Sequence, residues 1–387
     1  MKVMYFLHEG GAAFNGSSRS ILSVIRAGAA AGNTNYVVIP EAGGRLEDQL
    51  KSIENTHVLV QRSCRWKHFR RRRRLLQLYS TWRYRLAGRT WNTLAARRLA
   101  RFAKTEGVEL LHSNSSVIEL GALVSRYSGI PHVWHVREFG EEGLNMYPYV
   151  PEKRFYRDME RYSAAIVCIS DAIRKKLARF IDGKKLHRIY NGVSVPAELP
   201  KQRTADGVTK LLISGYLSEN KGQRIAAEAI TRLVREGITD LHLYIAGDGD
   251  PSVLGRGYDE VEDHVSLLGF VDDMAALRSD MDIELSCSVA EGFGRTVVEA
   301  MAAGLIVIGA DSGATPELIE NGATGLIFPT GDAAALAERI KEVRAFSEEE
   351  RLAMRQRAFA SVRETFGEKR YTAEVLRLYD KVITMGE

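Results

Sequence analysis

Two carboxylates, Glu291 and Glu299, lie eight positions apart in the segment EGFGRTVVEAMAAG. Gly292 and Gly294 allow the backbone between them to turn tightly and to come close to a ligand. The pattern 295–303 predicts a helix whose first N–H groups point back at this turn, a geometry that favours phosphates. Glu299 would then lie among apolar neighbours, where an unpaired charge is costly. The segment predicts an anion site with two carboxylates, and a structural salt bridge of Glu299 remains the alternative.

The loop HEGGAAFNGSS follows the first apolar run and is rich in glycine. Its Gly16 lets the backbone approach a ligand, and Ser17 or Ser18 is expected to cap the following helix. The loop does not match G-x-G-x-x-G, the dinucleotide fingerprint. This mismatch disfavours one alternative, a nucleotide-dependent oxidoreductase or a nucleotide-sugar-modifying epimerase on the same kind of sheet.

Lys221 and His135 are both expected where a strand ends. The stretch GYLSENKG is not a phosphate loop, because Asn220 and Gly222 replace the required glycine and Ser/Thr. Lys221 could still meet a phosphate there, or it could be a solvated loop lysine. His135 could face a ligand, or it could be a satisfied core histidine. No His, Asp or Glu cluster has metal-ligand spacing, so we expect neither a metal nor a cofactor.

Alternating apolar and amphipathic stretches must form the elements that position these residues. Nine apolar runs are predicted strands: 2–7, 35–40, 132–135, 165–170, 210–214, 242–247, 266–270, 282–286 and 305–310. Helices are predicted between them, and two, 18–32 and 223–237, end at Gly32 and Gly237. The alternation predicts an α/β protein with parallel sheets covered by helices on both faces. The strand count predicts two doubly wound sheets.

The stretch 191–207 predicts a linker, because it lacks periodicity and holds two of the nine prolines. We therefore expect an N-terminal domain at 1–195 and a C-terminal domain at 208–365. A last helix, 366–387, is expected to return to the N-terminal domain. Open α/β sheets bind ligands at the carboxyl ends of their strands, so we expect a cleft where these ends face each other.

The composition describes an ordinary soluble protein: 45% of the 387 residues are hydrophobic and 27% are charged. The first apolar run is too short for a signal peptide, and no run is long enough for a membrane span. The three cysteines, Cys64, Cys168 and Cys287, are far apart. A cytoplasmic protein without a disulfide framework is therefore expected.

The segment 62–104 is strongly basic, with fifteen Lys or Arg and no Asp or Glu. Leu75, Tyr79, Trp82 and Leu86 recur at helical spacing and predict an apolar stripe. We expect this segment to dock on an anionic membrane surface, with contacts from Arg70, Arg71, Arg72, Arg73, Arg74 and Trp82. Trp66 and Trp91 are expected to add rings at the headgroups.

Two alternatives for the basic segment remain open. The stripe could pack on the sheet and leave the arginines solvated, or the arginines could bind nucleic acid. No nucleic-acid-binding motif accompanies them, so we expect no nucleic acid as partner.

Taken together, the motifs resemble the retaining glycosyltransferases of family 4, which have the GT-B fold. EGFG followed by EAMAAG is similar to the signature of that family. Further pieces occur in the family's order across nearly the whole chain: HVREF (135–139), CISDAI (168–173), YNGV (190–193), SGYLSENKG (214–222), IAGDGD (245–250), LLGFVDD (267–273) and NGATGLIF (321–328). The resemblance implies two Rossmann-like domains that face each other across a cleft.

The resemblance also implies roles in binding a nucleotide-sugar donor. Glu299 would bind the ribose hydroxyls, and Glu291 would lie against the transferred sugar. The backbone N–H groups of Phe293 and Gly294 would donate to sugar hydroxyls. Lys221 would neutralise the diphosphate.

On the N-terminal side, the resemblance implies that His135 reaches the sugar and that Gly16 approaches the phosphates. Ser17 and Asn191 would belong to the same donor site. The chain departs from the family at Tyr216, where an arginine is common. Either Arg295 or another basic residue would substitute for that missing cation, or the donor would bind differently.

The implied reaction is transfer with retention of anomeric configuration, without a metal. The leaving phosphate would accept the proton of the acceptor, so Glu291 is not expected to act as a nucleophile. The acceptor would be a glycan or a lipid-linked molecule, as in the biosynthesis of cell-surface polysaccharides or glycolipids.

Overall fold

The chain forms two compact units in the computed structural model, which describes residues 1–10, 16–69, 74–201, 207–255, 258 and 260–385, without the side chains of 74–78, 85 and 144. The first unit combines Met1–Gly192 with Lys369–Glu387, and the second is Val193–Glu368. Each unit is built around one parallel sheet.

The first unit contains a seven-stranded parallel sheet with the order β3-β2-β1-β5-β6-β8-β9. A separate antiparallel pair joins β4 and β7. The strands are β1 Lys2–Phe6, β2 Thr34–Ile39, β3 Thr56–Val60, β4 Lys67–Phe69, β5 Leu110–Ser113, β6 His132–Val136, β7 Met146–Pro148, β8 Ala165–Cys168 and β9 Leu186–Arg188.

Helices connect these strands, as parallel pairing requires. They are α1 Gly16–Ala30, α2 Gly44–Lys51, α3 Arg74–Arg83, α4 Arg89–Glu106, α5 Leu120–Ser128, α6 Glu141–Leu144, α7 Glu152–Arg161 and α8 Asp171–Leu177. A π-helix, Tyr84–Gly88, joins α3 to α4.

The second unit contains a six-stranded parallel sheet with the order β12-β11-β10-β13-β14-β15. Its strands are β10 Thr209–Ser214, β11 Leu241–Ala246, β12 Val265–Gly269, β13 Ile283–Ser286, β14 Ile306–Ala310 and β15 Leu326–Phe328. Its helices are α9 Gln223–Arg235, α10 Met274–Ser279, α11 Arg295–Ala302, α12 Thr315–Leu318, α13 Ala333–Ala345 and α14 Glu348–Thr365.

A last helix, α15 (Glu368–Thr384), packs into the core of the first unit. Its Tyr371, Val375 and Tyr379 are buried with Val3 of β1 and Leu110 of β5. The helix therefore covers one face of the first sheet, although the second unit precedes it in the chain.

All nine predicted strands and both predicted glycine stops are present. Gly32 and Gly237 have φ angles of +81° and +86°, which glycine adopts without strain. Both sheets bury their central strands under helices, which explains why those strands read as continuous apolar runs. The predicted α/β architecture with two doubly wound parallel sheets is confirmed.

Candidate active site

The second sheet changes the direction of its strand order between β10 and β13. Strand order runs outward from β10 to β12 on one side and from β13 to β15 on the other. Ligands of open α/β sheets bind at such a switch point, beyond the carboxyl ends of the strands. The loops 215–222 and 287–294 leave β10 and β13 at this point, and they carry five of the predicted donor-site residues: Tyr216, Lys221, Glu291, Phe293 and Gly294.

An ion pair joins these two loops. Lys221 Nζ lies 2.7 Å from Glu291 Oε2, and the side chains are 38% and 17% exposed. The Val289 N–H donates to the Asn220 carbonyl at 2.9 Å, so the backbones of the loops are tied as well. Lys221 is therefore paired, although its side chain stays partly solvated. It lies against a carboxylate, and both groups remain reachable from solvent.

Two glycines allow this close arrangement. Gly222 has a φ of +72°, and a Cβ atom there would collide with the carbonyl oxygen of Cys287. Gly294 has a φ of +95° immediately before α11. Phe293 beside it is buried and packs edge-on against Phe366, with ring centroids 5.9 Å apart. The Phe293 side chain thus anchors the turn that precedes the helix.

Glu299 belongs to a charge network that extends from α11 into the core. Arg295 Nη2 donates to Glu299 Oε1 at 2.8 Å, and Arg278 Nη1 donates to Glu299 Oε2 at 3.2 Å. Burial raises the pKa of the Glu299 carboxyl, but Arg295 and then Arg278 outweigh burial and hold this pKa below its ordinary value. The group is therefore a carboxylate. The structural salt bridge that the sequence left as an alternative is therefore present, and the Glu299 side chain keeps 22% of its surface exposed to solvent.

The network ends on a buried carboxylate that sequence reasoning missed. Arg278 Nε donates to Glu284 Oε2 at 2.7 Å, and the Ser214 hydroxyl donates to Glu284 Oε1 at 2.5 Å. Glu284 and Arg278 are almost completely buried. The available signal was the glutamate within the apolar run DIELS, because a charge in a buried strand requires a partner.

Tyr216 is the exposed residue at the position where the family commonly has an arginine. Its side chain is outward, with 66% of the residue exposed. Arg295, a candidate substitute, is held by Glu299 in this structure. Its role toward a diphosphate stays a prediction.

His135 lies in the first unit and is completely buried at the end of β6. Its Nδ1 is 3.4 Å from Arg137 Nη2, and its ring centroid is 5.4 Å from that of His112. Burial, then the charges of Arg137 and His112, lower the pKa of His135 well below its ordinary value. The imidazole is therefore neutral. Its Nε2 has no hydrogen-bond partner among the described residues.

Arg137, which the sequence placed in HVREF, organises this edge of the first sheet. It donates to Asn114 Oδ1 and Asn191 Oδ1, both at 2.6 Å, and to the Tyr371 hydroxyl at 3.0 Å. Asn191 is thus fixed by a neighbouring guanidinium group. Asn114 and Tyr371 carried no motif, and sequence reasoning did not find them.

The start of α1 requires a correction. Gly16 and Ser17 already belong to this helix, and the Ser18 hydroxyl donates to the Glu9 carboxylate. The prediction that Ser17 or Ser18 caps the helix is wrong, because both lie inside it. The donor-site roles of Gly16 and Ser17 stay predictions.

The basic segment is helical from Arg74 to Lys104, whereas Lys67–Phe69 forms strand β4. Arg70–Arg73 lie outside the described residues, and Arg74 begins α3. Tyr79, Trp82 and Leu86 are 58%, 60% and 57% exposed. The alternative in which the stripe packs on the sheet is therefore wrong for these three residues. Among the described helices, none combines the length and apolar character needed to cross a membrane.

Trp66 differs from the expectation that it contacts headgroups. It is buried, and its ring stacks on that of Trp134 with centroids 5.4 Å apart. Its indole N–H donates to the Ser116 carbonyl. Trp66 therefore belongs to the buried interior of the first unit, whereas Trp91 is exposed as expected.

Sequence comparison matches both units to glycosyltransferases. Residues 14–195 match the model of the family described as Glycosyltransferase Family 4, and residues 208–345 match that of Glycosyl transferases group 1. Phosphatidyl-myo-inositol mannosyltransferase of Mycobacterium leprae is 30% identical over 233 residues, which cover 57% of this chain and 60% of that protein. The chain thus aligns with less than two thirds of this relative's length.

Solved structures share the fold across the chain. The Anabaena protein Alr3699/HepE in complex with UDP has a TM-score of 0.76 at 17% identity, covering 98% of this chain and 100% of that one. A glycosyltransferase from Rickettsia africae has a TM-score of 0.76 at 20% identity, covering 99% of each chain. The two family matches, rather than these structures, disfavour the oxidoreductase or epimerase of the alternative hypothesis. With family matches over most of its length and this shared architecture, the chain belongs to glycosyltransferase family 4 and has the GT-B fold.

Proposed function

We propose that the chain is a retaining glycosyltransferase that moves a sugar from a nucleoside-diphosphate donor to a glycan or lipid-linked acceptor. The Lys221–Glu291 ion pair at the switch point of the second sheet carries this proposal. A cation beside a helix N-terminus suits a diphosphate, and the partly exposed Glu299 carboxylate suits a ribose diol. The UDP bound to the Anabaena protein supports a nucleotide at such a site.

Donor binding would redistribute the charges of the site. In the free protein Lys221 neutralises Glu291, and a diphosphate would compete for the same ammonium group. Glu291 would then face the sugar with its negative charge less compensated. A carboxylate in this position stabilises an oxocarbenium-like transition state, in which positive charge develops on the sugar ring.

The proposed transfer proceeds on one face of the sugar. The bond from the anomeric carbon to the leaving phosphate oxygen breaks, and a bond to the acceptor oxygen forms on the same face. The leaving phosphate takes the acceptor's proton, so the step requires no protein nucleophile. We propose that it proceeds without a metal or a cofactor.

Three further contacts complete the proposed donor site. The neutral imidazole of His135 would hydrogen-bond a sugar hydroxyl, and Asn191 would be presented by Arg137. The backbone N–H groups of Phe293 and Gly294 would donate to other hydroxyls. Gly16 and Ser17, at the start of α1, would approach the phosphates.

The exposed stripe supports action at a membrane surface. Tyr79, Trp82 and Leu86 present apolar surface from a segment rich in arginine. Aromatic rings with nearby cations favour the headgroup region of an anionic bilayer. The name of the Mycobacterium leprae relative, phosphatidyl-myo-inositol mannosyltransferase, supports a lipid acceptor. The enzyme would therefore work on the cytoplasmic face, in polysaccharide or glycolipid biosynthesis.

Binding and turnover of Glu299→Ala and Glu291→Gln test the donor site. A panel of nucleoside diphosphates in a thermal-shift assay identifies the ligand. A ligand at a concentration of about 100 times its Kd raises the free energy of unfolding by about 2.7 kcal/mol. Glu299→Ala should then lose affinity for that ligand. Glu291→Gln should lose turnover more than affinity, since its partner is the sugar. The exposed Glu338→Ala in α13 is the control and should change neither.

Wild-type affinity in Glu299→Ala would refute the ribose contact. The anomeric configuration of the product, measured by NMR, tests retention separately. A product with inverted anomeric configuration would refute the proposed mechanism but would leave the family assignment unchanged.

Co-sedimentation with vesicles tests the membrane proposal. Binding should require anionic lipid and should fall as salt rises, because the attraction is electrostatic. Replacing Arg70 to Arg74 with glutamine should abolish it, and Trp82→Ala should weaken it. The proposal fails if the five glutamines leave binding unchanged.

A further inference from the structure

A cavity of about 270 Å³ lies in the first unit, between α5, α7 and the start of α4. It belongs to neither the donor loops nor the edge that carries His135. Five arginines line it: Arg89, Arg126, Arg154, Arg157 and Arg161. Two carboxyl groups, those of Glu119 and Asp158, are the acidic members of the lining.

Only part of this positive charge is compensated within the protein. Asp158 accepts from Arg154 Nε at 3.4 Å and lies 3.9 Å from Arg157 Nε. Across the described ranges, no carboxylate lies at ion-pair distance from Arg89, Arg126 or Arg161. Like charges that converge on one cavity repel each other, so an anion in the cavity would relieve this repulsion. Guanidinium groups bind phosphate with two parallel hydrogen bonds, which makes phosphate the best-matched anion.

Glu119 accepts hydrogen bonds from two neutral donors, although the charge of Arg89 also acts on this carboxyl group. Its Oε1 accepts from the Tyr84 hydroxyl at 2.5 Å and from Asn92 Nδ2 at 3.1 Å. Burial raises the pKa of this carboxyl, although the hydrogen bonds from Tyr84 and Asn92 oppose that shift. A carboxyl group whose neutral form is favoured repels an anion less than an ordinary carboxylate would.

Aromatic rings give the cavity fixed walls. The guanidinium carbons of Arg126 and Arg161 lie 5.9 Å and 5.7 Å from the centroid of the Tyr162 ring. Such cation–π contacts hold both groups near the cavity before a ligand arrives. Trp66, stacked on Trp134, forms another wall. The site is therefore partly preorganised, which lowers the entropic cost of binding.

We propose that this cavity binds a phosphate ester through the guanidinium groups of Arg89, Arg126 and Arg161. Its volume of about 270 Å³ is just below the usual range of small-molecule sites, about 300–1,000 Å³, which suits a phosphorylated headgroup rather than a whole nucleotide sugar. The phosphate comes from a lipid headgroup or from a soluble phosphate. The exposed Leu86 lies three residues before Arg89, so the apolar stripe places a lipid within reach. The proposal does not depend on the donor-site assignment.

Calorimetric titration of the full chain with inorganic pyrophosphate tests the soluble source. The cavity variant is Arg126→Gln with Arg161→Gln, and both side chains are exposed, so folding should persist. The matched control, Arg98→Gln with Arg101→Gln, removes the same charge from exposed positions of α4. All proteins carry Lys221→Gln, which removes the donor-site cation as a competing pyrophosphate site. The cavity variant should bind about tenfold more weakly than the control.

Vesicles of phosphatidylcholine with phosphatidic acid test the lipid source in the same three proteins. A selective loss in the cavity variant with pyrophosphate supports the site and identifies a soluble phosphate. A selective loss seen only with vesicles supports the site and identifies a headgroup. If the cavity variant and the control behave alike in both measurements, the proposal is overturned.

Discussion

The two parallel sheets differ in the charges of the residues at the carboxyl ends of their strands. In the second sheet, charges meet opposite charges: Lys221 pairs with Glu291, and Arg295 pairs with Glu299. These groups are partly exposed. In the first sheet, His135 is neutral and completely buried, and the neighbouring Arg137 is held by amide and hydroxyl oxygens.

Because of this difference, the two edges are suited to ligand groups of different charge. Partly exposed ion pairs can exchange a protein partner for a charged ligand, because solvent and ligand both reach them. A buried neutral imidazole cannot neutralise a diphosphate, but it can hydrogen-bond a hydroxyl without carrying charge into an apolar site. The second edge is therefore suited to an anion such as the proposed diphosphate, and the first is suited to an uncharged polar group.

The largest effect is expected from Arg278→Met, which breaks the buried end of the charge network. It leaves Glu284 buried without its ionic partner and should lower the free energy of unfolding by about 3–5 kcal/mol. Urea unfolding followed by tryptophan fluorescence and circular dichroism measures the loss. The double variant Arg278→Met with Glu284→Gln removes the stranded charge and should recover much of the stability.

A small effect of Arg278→Met would contradict this account. It would mean that water or a local rearrangement satisfies Glu284, and that the network does not fix the position of Glu299. The exposed pair of Arg235 and Glu260 provides the contrast, because Arg235→Met should cost less than about 1 kcal/mol.

Lys221→Gln should produce the next largest effect, on ligand binding rather than on folding. Loss of one charge-assisted contact should weaken nucleoside-diphosphate binding by about 1.5–3 kcal/mol. The corresponding nucleoside lacks the phosphates, so its affinity should not fall. Parallel titrations of both ligands measure the difference. Equal losses for nucleoside and diphosphate would place the phosphates away from Lys221.

The buried histidines of the first edge predict a pH dependence with a definite sign. The folded-state pKa values of His112 and His135 lie well below 6.5, the ordinary value. Below about pH 6.5 the unfolded chain binds protons that the folded chain does not, so stability falls as pH decreases. Each histidine contributes a slope of about 0.7 kcal/mol per pH unit at pH 6.5, which rises towards about 1.4 kcal/mol per pH unit as the unfolded imidazole becomes fully protonated. Urea unfolding between about pH 6.5 and about pH 5.5 measures it.

The variant His135→Gln should lower that slope by one histidine's share, whereas the exposed His57→Gln should leave it unchanged. If His135→Gln keeps the full slope, the imidazole is protonated in the folded protein. The electrostatic contrast between the two edges would then fail.

Sequence reasoning succeeded where a local pattern has one physical solution. Apolar runs predicted nine of the strands, and Gly294 was predicted at a tight turn, where its φ is +95°. It also placed Lys221 and Glu291 at strand ends, although it did not pair them. Their pairing depends on β10 and β13 being neighbours, and they are about 70 residues apart in the chain.

The parts that sequence reasoning missed depend on long-range contacts. Tyr371 reaches Arg137 only because α15 packs into the first unit after the whole second unit has intervened. Trp66 was expected at a surface because its neighbours are basic, but its burial is decided by Trp134. The composition of a segment describes its average polarity. The burial of each side chain depends on the residues that pack against that side chain.

The smallest effect is expected from Tyr216→Arg, which adds a cation to the edge that already uses ion pairs. Tyr216 is exposed, so the new guanidinium should be tolerated without loss of folding. An exposed cation near a diphosphate should tighten binding by about 0.5–1 kcal/mol, and added salt should reduce the gain. Titration of the nucleoside diphosphate at low and high salt measures both. Tyr216→Gln is the uncharged control and should show no gain.

If Tyr216→Arg leaves binding unchanged or weakens it, another group already occupies the space beside the phosphates. Arg295 is the first candidate, because a ligand could draw its guanidinium away from Glu299. In that case Arg295→Gln should weaken binding in the wild-type background, and Tyr216→Arg should restore it.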